Sequence, residues 1–203
     1  MQRLFCHRLL VVRFLSLLAL GLATFWLSWT IGYYLLPEGI LRGRTVAAAL
    51  AGSSAAGSFA SEFARIAGIN LAFAAVFVVG ANRLLSVRGY PLGYLPPILW
   101  SLLYGVFLGT NSFSIPLPAP MAPSLEVFRR SGLYEIAAYV LIAASTHGIS
   151  VARSPSFFSF TSEPVCPKPR LGESVSWRGV IVAVLLLLTA NAWEAYQILW
   201  AVE

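Results

Sequence analysis

Aspartate is absent from this chain, and lysine occurs once, at Lys168. Charged residues make up 11% of the 203, against roughly 25% in an ordinary soluble domain. Without Asp, no aspartyl chemistry and no Asp-containing triad can be built. Histidine is limited to His7 and His147, and cysteine to Cys6 and Cys166, with no Cys-x-x-Cys pair or His cluster. Zinc-ligand spacing is therefore missing. The H-E-x-x-H, G-x-x-x-x-G-K-[ST] and G-x-S-x-G motifs are missing as well. A Ser–His pair would need one of the two distant histidines with Glu as its orienter, and no spacing supports that. The sequence thus supplies no catalytic residue, no metal site and no cofactor motif. It reads as a non-enzyme, with an intramembrane Glu protease using Glu135 and Glu194 left open but marked by no motif.

What the chain does have is apolar surface. Hydrophobic residues make up 58%, and mean hydropathy is +0.77. That excludes a disordered protein and most soluble enzymes, and it points to an integral membrane protein. The formal net charge of +6 comes from thirteen Arg and Lys168 against eight Glu. These cations punctuate apolar runs and do not form a basic face interleaved with aromatics. They read as orientation signals, not as a nucleic-acid footprint.

A spanning helix needs about 20 mostly apolar residues. Five stretches qualify: 14–36, 66–85, 95–115, 133–151 and 180–200. The first follows Arg3, Arg8 and Arg13 and ends in Trp26, Trp29, Tyr33 and Tyr34 before Pro37. It is longer than the apolar core of a signal peptide and closes on an aromatic belt, so it reads as a retained span. The third opens on Pro96-Pro97. None of these runs alternates as a membrane β-strand would. The expected fold is all-α: one integral membrane domain over residues 1–203, a polytopic transmembrane bundle of about five spans.

Five crossings put the termini on opposite sides. With the N-terminus inside, nine basic residues lie inside: Arg3, Arg8, Arg13, Arg83, Arg88, Arg153, Lys168, Arg170 and Arg178. Five lie outside: Arg42, Arg44, Arg65, Arg129 and Arg130. The bias favours an inside N-terminus and an outside C-terminus. Both cysteines then face the cytoplasm, where two free thiols are expected, although their count alone permits a disulfide. Thr45–Ser61 is rich in Ala, Gly and Ser and reads equally as an interfacial helix or a plain outer loop. Residues 116–124 carry four prolines and read as a stiff connector. Residues 153–177 read as a cytoplasmic loop.

Ionisable residues inside a span need a reason. Glu135 and Glu194 fall near the outer ends of the fourth and fifth spans, and Arg65 enters the second from outside. Arg65, Glu135 and Glu194 are therefore the candidate intramembrane polar cluster. It would serve as a site for an ion or proton, or as a structural ion pair that sets helix register. His147 lies about 18 Å from Glu135 along a helix and reads as a packing or interface residue. Asn70, Asn82, Asn111 and Asn191 are positioned to hydrogen-bond between helices. Gly105 and Gly109 form a G-x-x-x-G that lets a neighbouring helix approach.

Three places resemble the stage II sporulation protein M family of integral membrane proteins. They are Phe63-Ala-Arg-Ile66 with Asn70, Gly80 and Asn82; Gly132-Leu-Tyr-Glu135 with Ala143 and Gly148; and Ala192-Trp-Glu194-Ala-Tyr196. The resemblance covers about residues 59–200. Ser131 stands where that family usually has His. The resemblance implies a five-span bundle with Glu135 and Glu194 at the family's acidic positions. It also implies a place in a multi-protein membrane complex of the bacterial inner membrane. With its thin polar equipment and small-residue helix faces, the chain's leading expectation is a multi-pass scaffold or assembly subunit, similar to that family. Its partners would be the bilayer and other membrane proteins, with no nucleic acid, and its oligomeric state stays open. The alternative is a transporter or channel component using Arg65, Glu135 and Glu194, which requires a cavity reaching those residues.

Overall fold

The computed structural model describes residues 2–45, 52, 54–156, 159 and 161–200. Five helices carry the architecture: α1 (Leu10–Leu35), α2 (Phe59–Leu84), α3 (Leu95–Thr110), α4 (Gly132–Ser145) and α5 (Trp177–Trp200). The chain is a multi-pass helical bundle of membrane type. α1, α2, α5 and the unit formed by α3 with its leading turn over Leu92–Tyr94 are long and apolar enough to cross a bilayer.

α4 is different. Its 14 residues reach only about 21 Å, short of a hydrocarbon layer of about 30 Å. Eleven of the 14 are buried, because α4 packs against α1, α3, α5 and the later part of α2. The expected fourth span, 133–151, is therefore helical only to Ser145, and the chain then turns and enters a strand at Ala152. The reason is tertiary. Arg13 of α1, itself buried, donates from Nε to the Ala144 carbonyl at 3.2 Å. A cation on those carbonyls satisfies a helix C-terminus and its dipole. The other helices begin 3–7 residues ahead of the expected runs at α1, α2 and α5, and α3 stops five residues before its expected end.

α1 and α3 close backbone to backbone. A methyl group on Gly109 would sit 2.6 Å from the Tyr33 nitrogen and 2.7 Å from the Trp29 carbonyl oxygen. One on Gly105 would sit 2.5 Å from the Phe25 carbonyl oxygen. The G-x-x-x-G of α3 thus has its partner within the chain, with Gly32 of α1 directly opposite. Without a hydrophobic drive in lipid, such close approach supplies the packing. Asn111, at φ +50°, ends α3 in the left-handed region and exchanges hydrogen bonds with Leu117. Trp29 Nε1 donates to the Met121 carbonyl at 2.7 Å. These contacts stitch the proline-rich connector onto the α1–α3 end.

α2 contains a wider winding over Ala74–Gly80, with π-type hydrogen bonding. Asn70 and Asn82 are twelve residues apart, which on a regular helix puts them about 120° apart. A π turn advances less per residue, about 80–85°. Seven such residues bring both asparagines to the buried face, and both are buried. Asn70 Nδ2 donates to Asn191 Oδ1 of α5 at 2.7 Å. Asn82 Nδ2 donates to the Ala143 carbonyl and to Thr146 Oγ1.

The end at which α1 begins carries a small sheet of order β2-β1-β3-β4, formed by β1 (Ser86–Val87), β2 (Tyr90–Pro91), β3 (Ala152–Ser154) and β4 (Glu163–Pro164). Arg88 and Gly89, both with positive φ, make the two-residue turn of the first hairpin. β3 runs parallel to β1, with Ser86 opposite Arg153, and antiparallel to β4. The 153–177 segment is thereby pinned to the bundle. Cys6 and Cys166 are free. For Thr45–Ser61, residues 46–51 and 53 lie outside the described residues, and the choice between helix and loop lies there with them.

Candidate polar cavity

A cavity of about 440 Å³ opens at the end of the bundle where α2 and α4 begin and α5 ends. Arg65, Glu135 and Glu194 all line it. α4 places Glu135 in its first turn, where the positive end of the helix favours a carboxylate. Glu135 is 4% exposed. Glu194 of α5 and Asn70 of α2 lie near it, and Ser131 lies near Glu194. Trp100, Tyr104, Phe107 and Phe113 form an aromatic wall.

Arg65 comes to the same cavity but its charge is met elsewhere. It forms a two-pronged pair with Glu62, at 2.6 and 2.8 Å from Nη2. Glu62 is fully buried and also accepts from the Ala56 nitrogen at 2.6 Å. The carboxylate three residues earlier on the same helix is already in place, whereas Glu135 and Glu194 sit on other helices. The sequence expectation of Arg65 beside the two outer acids omits Glu62, although its i,i+3 spacing is visible in the sequence. Among the described residues, neither Glu135 nor Glu194 has a basic ion-pair partner.

Six buried side-chain polar atoms lack a hydrogen-bond partner among the described residues. Three belong to residues that line this cavity: Arg65 Nε, Trp100 Nε1 and Glu135 Oε1. Unsatisfied buried groups are rare and call for an explanation. No protein family, curated protein or solved structure matches this chain. Its functional reading therefore comes from the chemistry of the cavity itself.

Arg130 also lines the cavity and has no ion-pair partner among the described residues. It lies near enough to the Tyr104 hydroxyl to act on it through its charge. Tyr104 in turn rests on Gly132, where any side chain would strike its ring. Sequence reasoning treats Arg130 only as an orientation charge and passes over Tyr104 and Trp100. No spacing rule singles them out, because the connector before α4 carries Arg130 into place.

A second cavity, of about 330 Å³, lies at the opposite end of α4. His147 and Gly148, just beyond the helix, line it with Arg88, Arg153 and Ser150. Burial, with Arg13 adding to it, pushes His147 down to about 4, so its imidazole is neutral at pH 7. Nearby, Cys6 donates from Sγ to the Gly89 carbonyl. Burial pushes its thiol up, against the opposing charge of Arg13. Among the described residues, no three His, Cys, Asp or Glu groups converge in a way that could hold a metal.

Proposed function

We propose that this multi-pass membrane protein is a transporter or channel component that handles a small solute. The observation that carries the reading is the open cavity reached by Arg65, Glu135 and Glu194. Two further features support it. Cavities of different character flank the short central helix, aromatic and lined by both acids and arginines at its start, and basic at its end. The two carboxyl groups have no basic partner, as a site awaiting a ligand would. The nine basic residues inside and five outside support a cytoplasmic N-terminus in a bacterial inner membrane.

Membership in a larger complex, as the resemblance to stage II sporulation protein M implies, is compatible with this role. It is favoured by the apolar strip of α5, where Ile181, Val182, Leu185, Trp193, Tyr196 and Trp200 are exposed. Lipid would cover the same strip.

The test is accessibility. A thiol introduced by Ile198→Cys, in a chain carrying Cys6→Ser and Cys166→Ser, should react with a membrane-impermeant cationic thiol reagent added to the outer side of oriented vesicles. Ile198 lines the cavity. A thiol that reacts only after detergent is added overturns the reading.

A further inference from the structure

Deepening that reading, and resting on it, we propose that the outer cavity takes a small zwitterion with an apolar body. An ammonium group would lie against Glu135 and Glu194, and an anionic group against Arg130. Among the described residues, the cavity lining carries ionisable groups of both signs without an ion-pair partner: the carboxyls of Glu126, Glu135 and Glu194 and the guanidiniums of Arg129 and Arg130, of which Arg129 and Glu126 are exposed at the rim. Arg65 is excluded from either role because Glu62 already matches it at 2.6 Å.

Glu135 lines the cavity with one carboxyl oxygen, Oε1, packed away and without a partner, and a turn of its carboxyl would offer an ammonium N–H an acceptor. Trp100, Tyr104, Phe107 and Phe113 provide faces for an aromatic or alkyl body and strengthen cation binding beside the acids. A cavity of about 440 Å³ is far more than a bare ion fills and falls in the range of small-molecule sites. A free amino acid and the ethanolamine-phosphate headgroup of a lipid share this pairing of charges, and the experiment separates them.

The full chain carrying Ile198→Cys, Cys6→Ser and Cys166→Ser is labelled in the presence of L-phenylalanine, phenethylamine or N-acetylphenylalanine. Labelling is repeated in nanodiscs of phosphatidylethanolamine and of phosphatidylglycerol. We expect one zwitterionic source to protect the thiol. Phenylalanine protecting at concentrations about tenfold below both singly charged analogues assigns a free solute. Protection by phosphatidylethanolamine but not phosphatidylglycerol assigns a headgroup. Arg130→Gln should then abolish the preference over phenethylamine, and Glu135→Gln the preference over N-acetylphenylalanine.

A reactive thiol that neither zwitterion protects overturns this proposal and leaves the open cavity intact. So does equal protection by a singly charged analogue. A thiol that stays unreactive in vesicles of phosphatidylglycerol, with no zwitterion added, removes the cavity reading itself. The ligand comparison uses unaltered Glu135 and Arg130, so it stands even where those variants fold poorly.

Discussion

The α1–α3 pair and the α2–α4–α5 group solve the same packing problem in opposite ways. α1 and α3 bring glycine to backbone and leave no room between them. α4 and α5 also close on a glycine at one end, where Gly179 rests on Ser145, but at the other end α2, α4 and α5 meet through asparagines and glutamates, and a cavity remains beside the two acids. Small residues remove space between helices, whereas polar side chains hold helices together at arm's length and preserve it. One half of the molecule is built as a rigid post and the other as a receptacle.

The sharpest way to break this contrast is at the post. In Gly109→Leu a side chain would meet the backbone of Tyr33 and Trp29, which cannot swing aside. We expect a loss of more than about 3 kcal/mol, read as failure to recover monodisperse protein in detergent. Gly68→Leu, which meets nothing within 4 Å, should behave like the parent. Equal tolerance at both sites would erase the distinction.

On the receptacle side the effect should be smaller. Asn70→Val removes the hydrogen bond to Asn191. Interhelical bonds of this kind are worth about 0.6–1.7 kcal/mol, so the midpoint of unfolding in detergent should fall modestly while the helical signal is retained. A collapse as large as that of Gly109→Leu would mean that the asparagine pair carries the fold as much as the glycines do.

The smallest effect concerns His147 at the far end of α4. Its pKa in the folded chain is about 4, below the ordinary value of about 6.5. Between those values the unfolded chain takes up a proton that the folded chain refuses, so stability falls as pH drops through that window. The loss is on the order of 1 kcal/mol once partial exposure is discounted. His147→Gln should flatten the stability profile between pH 6.5 and pH 4. An unchanged slope would place the titration elsewhere.

The helical framework is legible in the sequence because long apolar runs leave the backbone one way to satisfy itself in lipid. The end of α4 is not, since Arg13, over a hundred residues away, caps it. The π winding of α2 is equally hidden, because it answers to two asparagines that must face different neighbours. Strands of two or three residues carry no period to detect, although Arg88-Gly89 is a recognisable turn. In the cavity, Arg65, Glu135 and Glu194 can be named from their depth in the spans. Glu62 as the partner of Arg65 is readable from spacing. The place of Arg130 depends on a connector whose path no local pattern dictates.

The brevity of α4 has an electrical consequence. An energised membrane drops its voltage across the insulating layer alone. Were the cavities at its two ends filled with water in the membrane, that layer would thin to the length of α4, about 21 Å in place of about 30 Å. The local field would then be about 1.4 times that across the surrounding lipid. A single charge carried along that short path would still couple to the whole potential, about 2.3 kcal/mol for every 100 mV.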